Sequence, residues 1–112
     1  MKFNEYQNLA LRTRNKLLTK TRTFENGVMG LCGEAGELID HVKKHMFQGH
    51  SLDKEYIAKE LGDILWYLSL TAHAIDYNLE DIANKNIDKL KKRYPNGFEA
   101  DKSINRQTEW IK

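Results

Sequence analysis

The stretch Gly30-Leu-Cys-Gly-Glu34-Ala-Gly-Glu37-Leu-Ile39 and its later counterpart Glu60-Leu-Gly-Asp63-Ile-Leu-Trp-Tyr67-Leu68 decide how this chain folds. Around the first, Val28, Leu31, Cys32, Ala35, Leu38, Ile39, Val42 and Met46 recur every three or four residues, which predicts a helix capped by Asn26 and ending near Gly49. Around the second, Ile57, Leu61, Ile64, Leu65, Leu68, Ala72 and Ile75 repeat that period, with Ser51 or Asp53 as cap and an end near Tyr77. Working outward, Tyr6, Leu9, Ala10, Leu17 and Leu18 predict a first helix from Asn4 to about Lys20. After Asn78, the acids Glu80 and Asp81 suit a helix N-terminus, and Leu79, Ile82, Ala83, Ile87 and Leu90 carry a fourth helix to Tyr94. Pro95-Asn96-Gly97 stops it, and the tail from Phe98 is less regular. No run of alternating β-branched residues competes, so the chain reads as all-α, built of helical hairpins.

The same two stretches hold the chemistry. Glu34 and Glu37 are three apart, as are Glu60 and Asp63, so each pair shares one helix face beside an apolar stripe. If the two helices pack antiparallel, the pairs converge. Four carboxylates so placed repel unless a cation lies among them, and hard oxygen donors suit Mg²⁺ or Mn²⁺. Gly33, Ala35, Gly36 and Gly62 around the acids would let a backbone or a bulky ligand approach. The competing view puts the acids on solvated faces, paired with Lys43, Lys44 and Lys59. A di-iron bundle would need Glu-x-x-His, which is absent, while Glu37, His41 and His45 form a zinc-like stripe without an evident third strong ligand beyond it.

Length and composition bound the rest. With 112 residues, 40% hydrophobic and 30% charged, the chain makes one domain, residues 1–112, with a solvated surface. Cys32 stands alone, so no internal disulfide forms; it is expected to pack as a small hydrophobe in a reducing compartment. No signal peptide or membrane span is visible, and a cytoplasmic location is expected. Net charge is +2, yet residues 1–24 alone carry +5, from Lys2, Arg12, Arg14, Lys16, Lys20 and Arg22 against Glu5. Such a segment meets phosphates or simply stays hydrated. Nucleic acid is the weaker partner for it, because aromatic and basic residues do not interleave beyond Phe3 and Tyr6.

Taken together, Glu34-Ala-Gly-Glu37 and Glu60-Leu-Gly-Asp63 resemble the ExxE…ExxD signature of the MazG-like all-α nucleotide pyrophosphohydrolases. The opening Glu5-Tyr6-Gln7 and the ending Asn86-Ile-Asp-Lys89-Leu-Lys-Lys-Arg93-Tyr94-Pro95 are similar to that family too, so the likeness runs over about residues 3 to 106. It departs at Gly33, where many relatives carry an additional acid.

The resemblance implies a four-helix bundle completed by dimerisation, as a homodimer or homotetramer. It implies Mg²⁺-dependent cleavage of nucleoside triphosphates between the α and β phosphates, giving a monophosphate and pyrophosphate. Glu34, Glu37, Glu60 and Asp63 would be the metal ligands, one of them doubling as base for the attacking water. Asn86, Lys89 and Arg93 would lie near the phosphates, and Tyr67 would line the base pocket, while Trp66 is expected in the core. The basic first helix could add charge for the outer phosphates. Apolar residues of the tail, Phe98, Ile104, Trp110 and Ile111, could reach a partner subunit. The alternative is a helical module that binds a nucleotide or a protein through the same groove without catalysis.

Overall fold

A computed structural model describes residues 1–106, and among them every regular element is a helix. In chain order these are α1 (Phe3–Ala10), a 3₁₀ turn (Leu11–Thr13), α2 (Lys20–Phe47), α3 (Lys54–Ala74), α4 (Leu79–Arg93) and α5 (Ala100–Ile104). They fall into two compact units, one of Met1–Leu79 and one from Glu80 onward.

The first helix is shorter than the periodicity predicts, because side chains capture its last carbonyls. Thr13 Oγ1 donates to the Ala10 carbonyl at 2.7 Å, and the Trp66 indole N–H donates to the same oxygen at 3.0 Å. Arg14 then turns extended, and Asn15 Oδ1 takes the Leu17 N–H at 3.0 Å, a local bond that competes with helix. Conversely, α2 begins at Lys20, well before Asn26. Its cap is Thr19, whose hydroxyl accepts the Arg22 N–H at 3.1 Å. The polar run 21–26 hid this turn and a half: it lacks an apolar stripe yet stays helical, with Arg22 and Glu25 paired at 3.2 Å. Asp53 caps α3 as expected, accepting from the Tyr56 N–H at 3.1 Å.

α2 and α3 pack along their lengths as an antiparallel hairpin, joined by residues 48–53. The register is visible in the pairs that touch. Gly27 meets Thr71, Gly30 meets Tyr67 and His41 meets Tyr56, one number rising as the other falls. A Cβ on Gly30 would run into the Tyr67 ring, and one on Gly27 into Thr71, whose Cα would stand 3.2 Å away. These two glycines set the approach of the helices. At Gly33, Gly36 and Gly62 a Cβ would meet nothing within 4 Å, so it is open space, and no close backbone, that borders the acids.

α1 lies on α3 and is fastened by Gln7, 5% exposed. Its Nε2 donates to the Ser69 and Tyr77 carbonyls at 3.2 and 3.4 Å, and its Oε1 accepts the Leu79 N–H at 2.9 Å. Trp66 adds a bond to Thr13 Oγ1 at 2.9 Å, so it is a half-buried strut between α3 and the 3₁₀ turn. The buried apolar side chains among the described residues are Leu11, Leu70, Ala72, Ala74 and Leu79, at this end. The stripe predicted for α2 is not buried in the single chain. Ile39 is 70% exposed and Met46 64%, and Cys32 is exposed too, contrary to its expected packing. Only half of the hydrophobic face of α2 meets α3, since one helix covers one strip of its neighbour.

In the second unit α4 ends where Pro95 forbids continuation, and Gly97 at φ +87° makes the turn that brings Phe98 to 5.5 Å from the Tyr94 ring. Ile104 closes α5 and is exposed, while Trp110 and Ile111 lie outside the described residues.

Candidate metal centre

The antiparallel register sets Glu34 and Glu37 of α2 opposite Glu60 of α3. One carboxylate oxygen from each of the three lies within 4.8 Å of the others. Glu60 is 7% exposed, Glu34 half-buried and Glu37 exposed, so the cluster runs from the helix interface to solvent. Glu34 Oε2 and Glu60 Oε2 are both buried without a hydrogen-bond partner. Carboxylates are acceptors only when ionised, and a buried acceptor without a donor is costly. The Glu60 carboxyl is accordingly pushed up to about 7: sharing a proton with Glu34 favours its neutral form most, burial next, then the hydrogen bond and charge of Glu37. Such a set takes up either a proton or a cation. Three hard oxygen donors, two with orphaned buried atoms, fit a divalent cation such as Mg²⁺ or Mn²⁺.

Glu37 and Asp63 do lie on solvated faces, but the pairing with lysines that the alternative expected does not form. Lys43 and Lys44 pair with Asp40, at 3.3 and 2.9 Å, and none of Glu34, Glu37 and Glu60 joins an ion pair among the described residues. The zinc-like stripe does not assemble either. His41 Nε2 accepts the Asp53 N–H at 3.2 Å and His45 Nδ1 lies 2.8 Å from the His50 carbonyl, so both rings are engaged in the α2–α3 connection.

Asp63 stands one turn beyond Glu60, exposed, outside the group of three oxygens. After burial, its charge raises the Tyr6 phenol above its usual value. Tyr67, another turn on, is half-buried with its ring against Gly30. Tyr56 went unnoticed in the sequence. It sits one turn before Glu60, tilted on His41 at 4.6 Å, and burial with the charges of Glu60, Glu37 and Asp40 pushes its phenol up. The spacing of four before Glu60 was the available signal. Asn86, Lys89 and Arg93 share one face of α4 in the second unit, with the Arg93 guanidinium 5.9 Å from the Tyr94 ring centre. The basic residues 14–22 are not beside the acids of their own chain. From Thr23 to Glu34 is eleven residues of continuous helix, about 16 Å at 1.5 Å per residue.

Compared with known families, residues 22–98 match the MazG nucleotide pyrophosphohydrolase domain. The chain belongs to that family. The MazG match takes in both acidic pairs, Tyr67 and the α4 face. Over 73 residues the chain is also 34% identical to the Gene 37 protein of Mycobacterium phage L5, an alignment covering 62% of this chain and 64% of that protein. The chain thus spans a little under two thirds of that relative's length. No solved structure matches it. No helix among the described residues is long and apolar enough to cross a membrane.

Proposed function

We propose that the chain hydrolyses nucleoside triphosphates, ribo or deoxy, between the α and β phosphates, releasing a monophosphate and pyrophosphate. The observation that carries this reading is the pair of buried, partnerless oxygens on Glu34 and Glu60, which lack a counter-charge. Glu34, Glu37 and Glu60 would hold Mg²⁺, or Mn²⁺, and Asp63, one turn on along α3 and outside that group of oxygens, would be a fourth ligand only by swinging toward them when the ion binds. When bound, the cation neutralises phosphate charge and lowers the pKa of the attacking water. A carboxylate of the cluster accepts the proton from that water, a reading supported by the rise of the Glu60 carboxyl to about 7 beside Glu34. Asn86, Lys89 and Arg93 bind the phosphates, and Tyr67 forms a wall for the base.

The enzyme works as a homodimer or homotetramer. Met29, Ile39, Met46 and Phe47 of α2 and Leu61 of α3 are exposed in the single chain, and burial against a second copy removes that apolar surface from water. Sedimentation should return at least twice the 13.1 kDa chain mass, and Ile39→Asp should lower it.

The activity is tested by pyrophosphate release from a panel of nucleoside triphosphates with Mg²⁺, for the wild type and for Glu37→Gln and Asp63→Asn. Pyrophosphate with a monophosphate product, lost in both variants, supports the reading. Nucleotide binding with no release by a folded, Mg²⁺-supplied wild type would leave a binding module instead.

A further inference from the structure

A second feature lies at the open end of the α2–α3 hairpin, away from the acids near its middle. A cavity of about 320 Å³ opens between the 14–20 segment, the first turn of α2 and the last turn of α3. Its polar lining is Arg14, Asn15, Lys16, Lys20, Thr23 and His73, and Asp76 is its one acid. Asp76, at φ +64°, ends α3 in the left-handed conformation and spends its carboxylate on Lys20. The guanidinium of Arg14 is held by the Leu11 carbonyl at 3.0 Å, which fixes it at the rim. The side chains of Lys16 and His73 have no partner among the described residues. Three permanent cations against one acid leave the lining at +2, while the positive end of the α2 dipole and the negative end of the α3 dipole, both at this place, offset each other.

We propose that this cavity is an anion site, separate from the acidic cluster, that takes a small phosphate-bearing ion such as inorganic phosphate or pyrophosphate. The donors suit such ions: the Arg14 guanidinium, the Lys16 ammonium, the Asn15 amide and the His73 imidazole, with the Lys20 ammonium shared with Asp76 and the Thr23 hydroxyl already given to the Thr19 carbonyl. Its volume lies at the low end for ligand pockets. Among the described residues the imidazole of His73 is its one ring, and Leu18 and Ala74 give only a small apolar wall. A nucleobase therefore finds nothing to stack on, whereas a free phosphate or diphosphate needs nothing more. At about 16 Å along α2 from the acids, one triphosphate tail does not serve both places.

The test uses the full ¹⁵N-labelled chain with a chelator, so that the acidic cluster holds no cation and repels anions. Phosphate and pyrophosphate are titrated separately at constant ionic strength, with chloride as control. Saturable shifts confined to residues 14–23 and 73–76, half-complete at about 1 mM or below, are expected, and whichever ion binds tighter names the ligand. Lys16→Glu, on an exposed side chain, should weaken binding about tenfold while leaving the melting temperature unchanged. Shifts centred on Glu34, Glu37 and Glu60, an equal response to chloride, or no saturation in the wild type would each overturn the proposal.

Discussion

Glu34 and Glu60 bring buried carboxylate oxygens together across the α2–α3 interface, and neither Oε2 has a hydrogen-bond partner. Buried carboxylates grouped without a donor are stabilised by a proton or a cation among them. Stability, metal binding and pH are therefore linked at this contact.

The first prediction concerns pH. Glu60 has an ordinary value of 4.5 in the unfolded chain and about 7 when folded, so between those values the folded protein binds the proton more tightly. Stability is then full below about pH 4.5, falls as the pH rises toward 7 and levels off above it. Without divalent cations, the melting temperature should drop between pH 5 and 8, and Mg²⁺ should restore it at pH 8. A flat metal-free profile would show that Glu60 ionises normally.

Glu60→Gln separates stability from activity. The amide supplies a donor to Glu34 and removes a charge, so the metal-free variant should melt above the wild type at pH 8. Stabilisation by Mg²⁺ should vanish, and turnover should fall by about 10²–10³-fold. Differential scanning fluorimetry with and without Mg²⁺, beside the pyrophosphate assay, reads both effects.

Alanine at two glycines should act in opposite directions. Gly30→Ala drives a methyl into Tyr67 and should cost roughly 1–3 kcal/mol in urea unfolding. Gly33→Ala meets open space and gains helix propensity, so it should stabilise by about 0.5–1 kcal/mol. A destabilised Gly33→Ala would mean that a second subunit packs against that position.

Gln7→Leu removes all three bonds that fasten α1 to the end of α3 and leaves the Leu79 N–H buried. A loss of about 1–3 kcal/mol is expected, read by chemical denaturation. Trp66→Phe, which keeps the ring but loses the indole donor, should cost about 1 kcal/mol and loosen the 3₁₀ turn in hydrogen exchange.

The hydrophobic period of residues 28–46 and 57–75, the Asp53 cap and the Pro95 stop are local properties, and for that reason the all-helical fold was legible from the amino-acid order. The two acidic pairs were legible as well, because spacing of three on a helix fixes a shared face. Other features depended on what lies opposite. Trp66 and Thr13 shortened α1 through bonds across 53 to 56 residues, and Thr19 took the cap expected of Asn26 because the polar run 21–26 has no stripe to mark it as helix. Tertiary packing also chose among the acids and glycines. It joined Glu34 and Glu37 to Glu60, left Asp63 outside that group, and used Gly27 and Gly30, not Gly33 and Gly36, for close approach. Which face of a helix is covered, and which carboxylate loses its water, is a property of the neighbouring helix, and sequence periodicity alone carries no record of it.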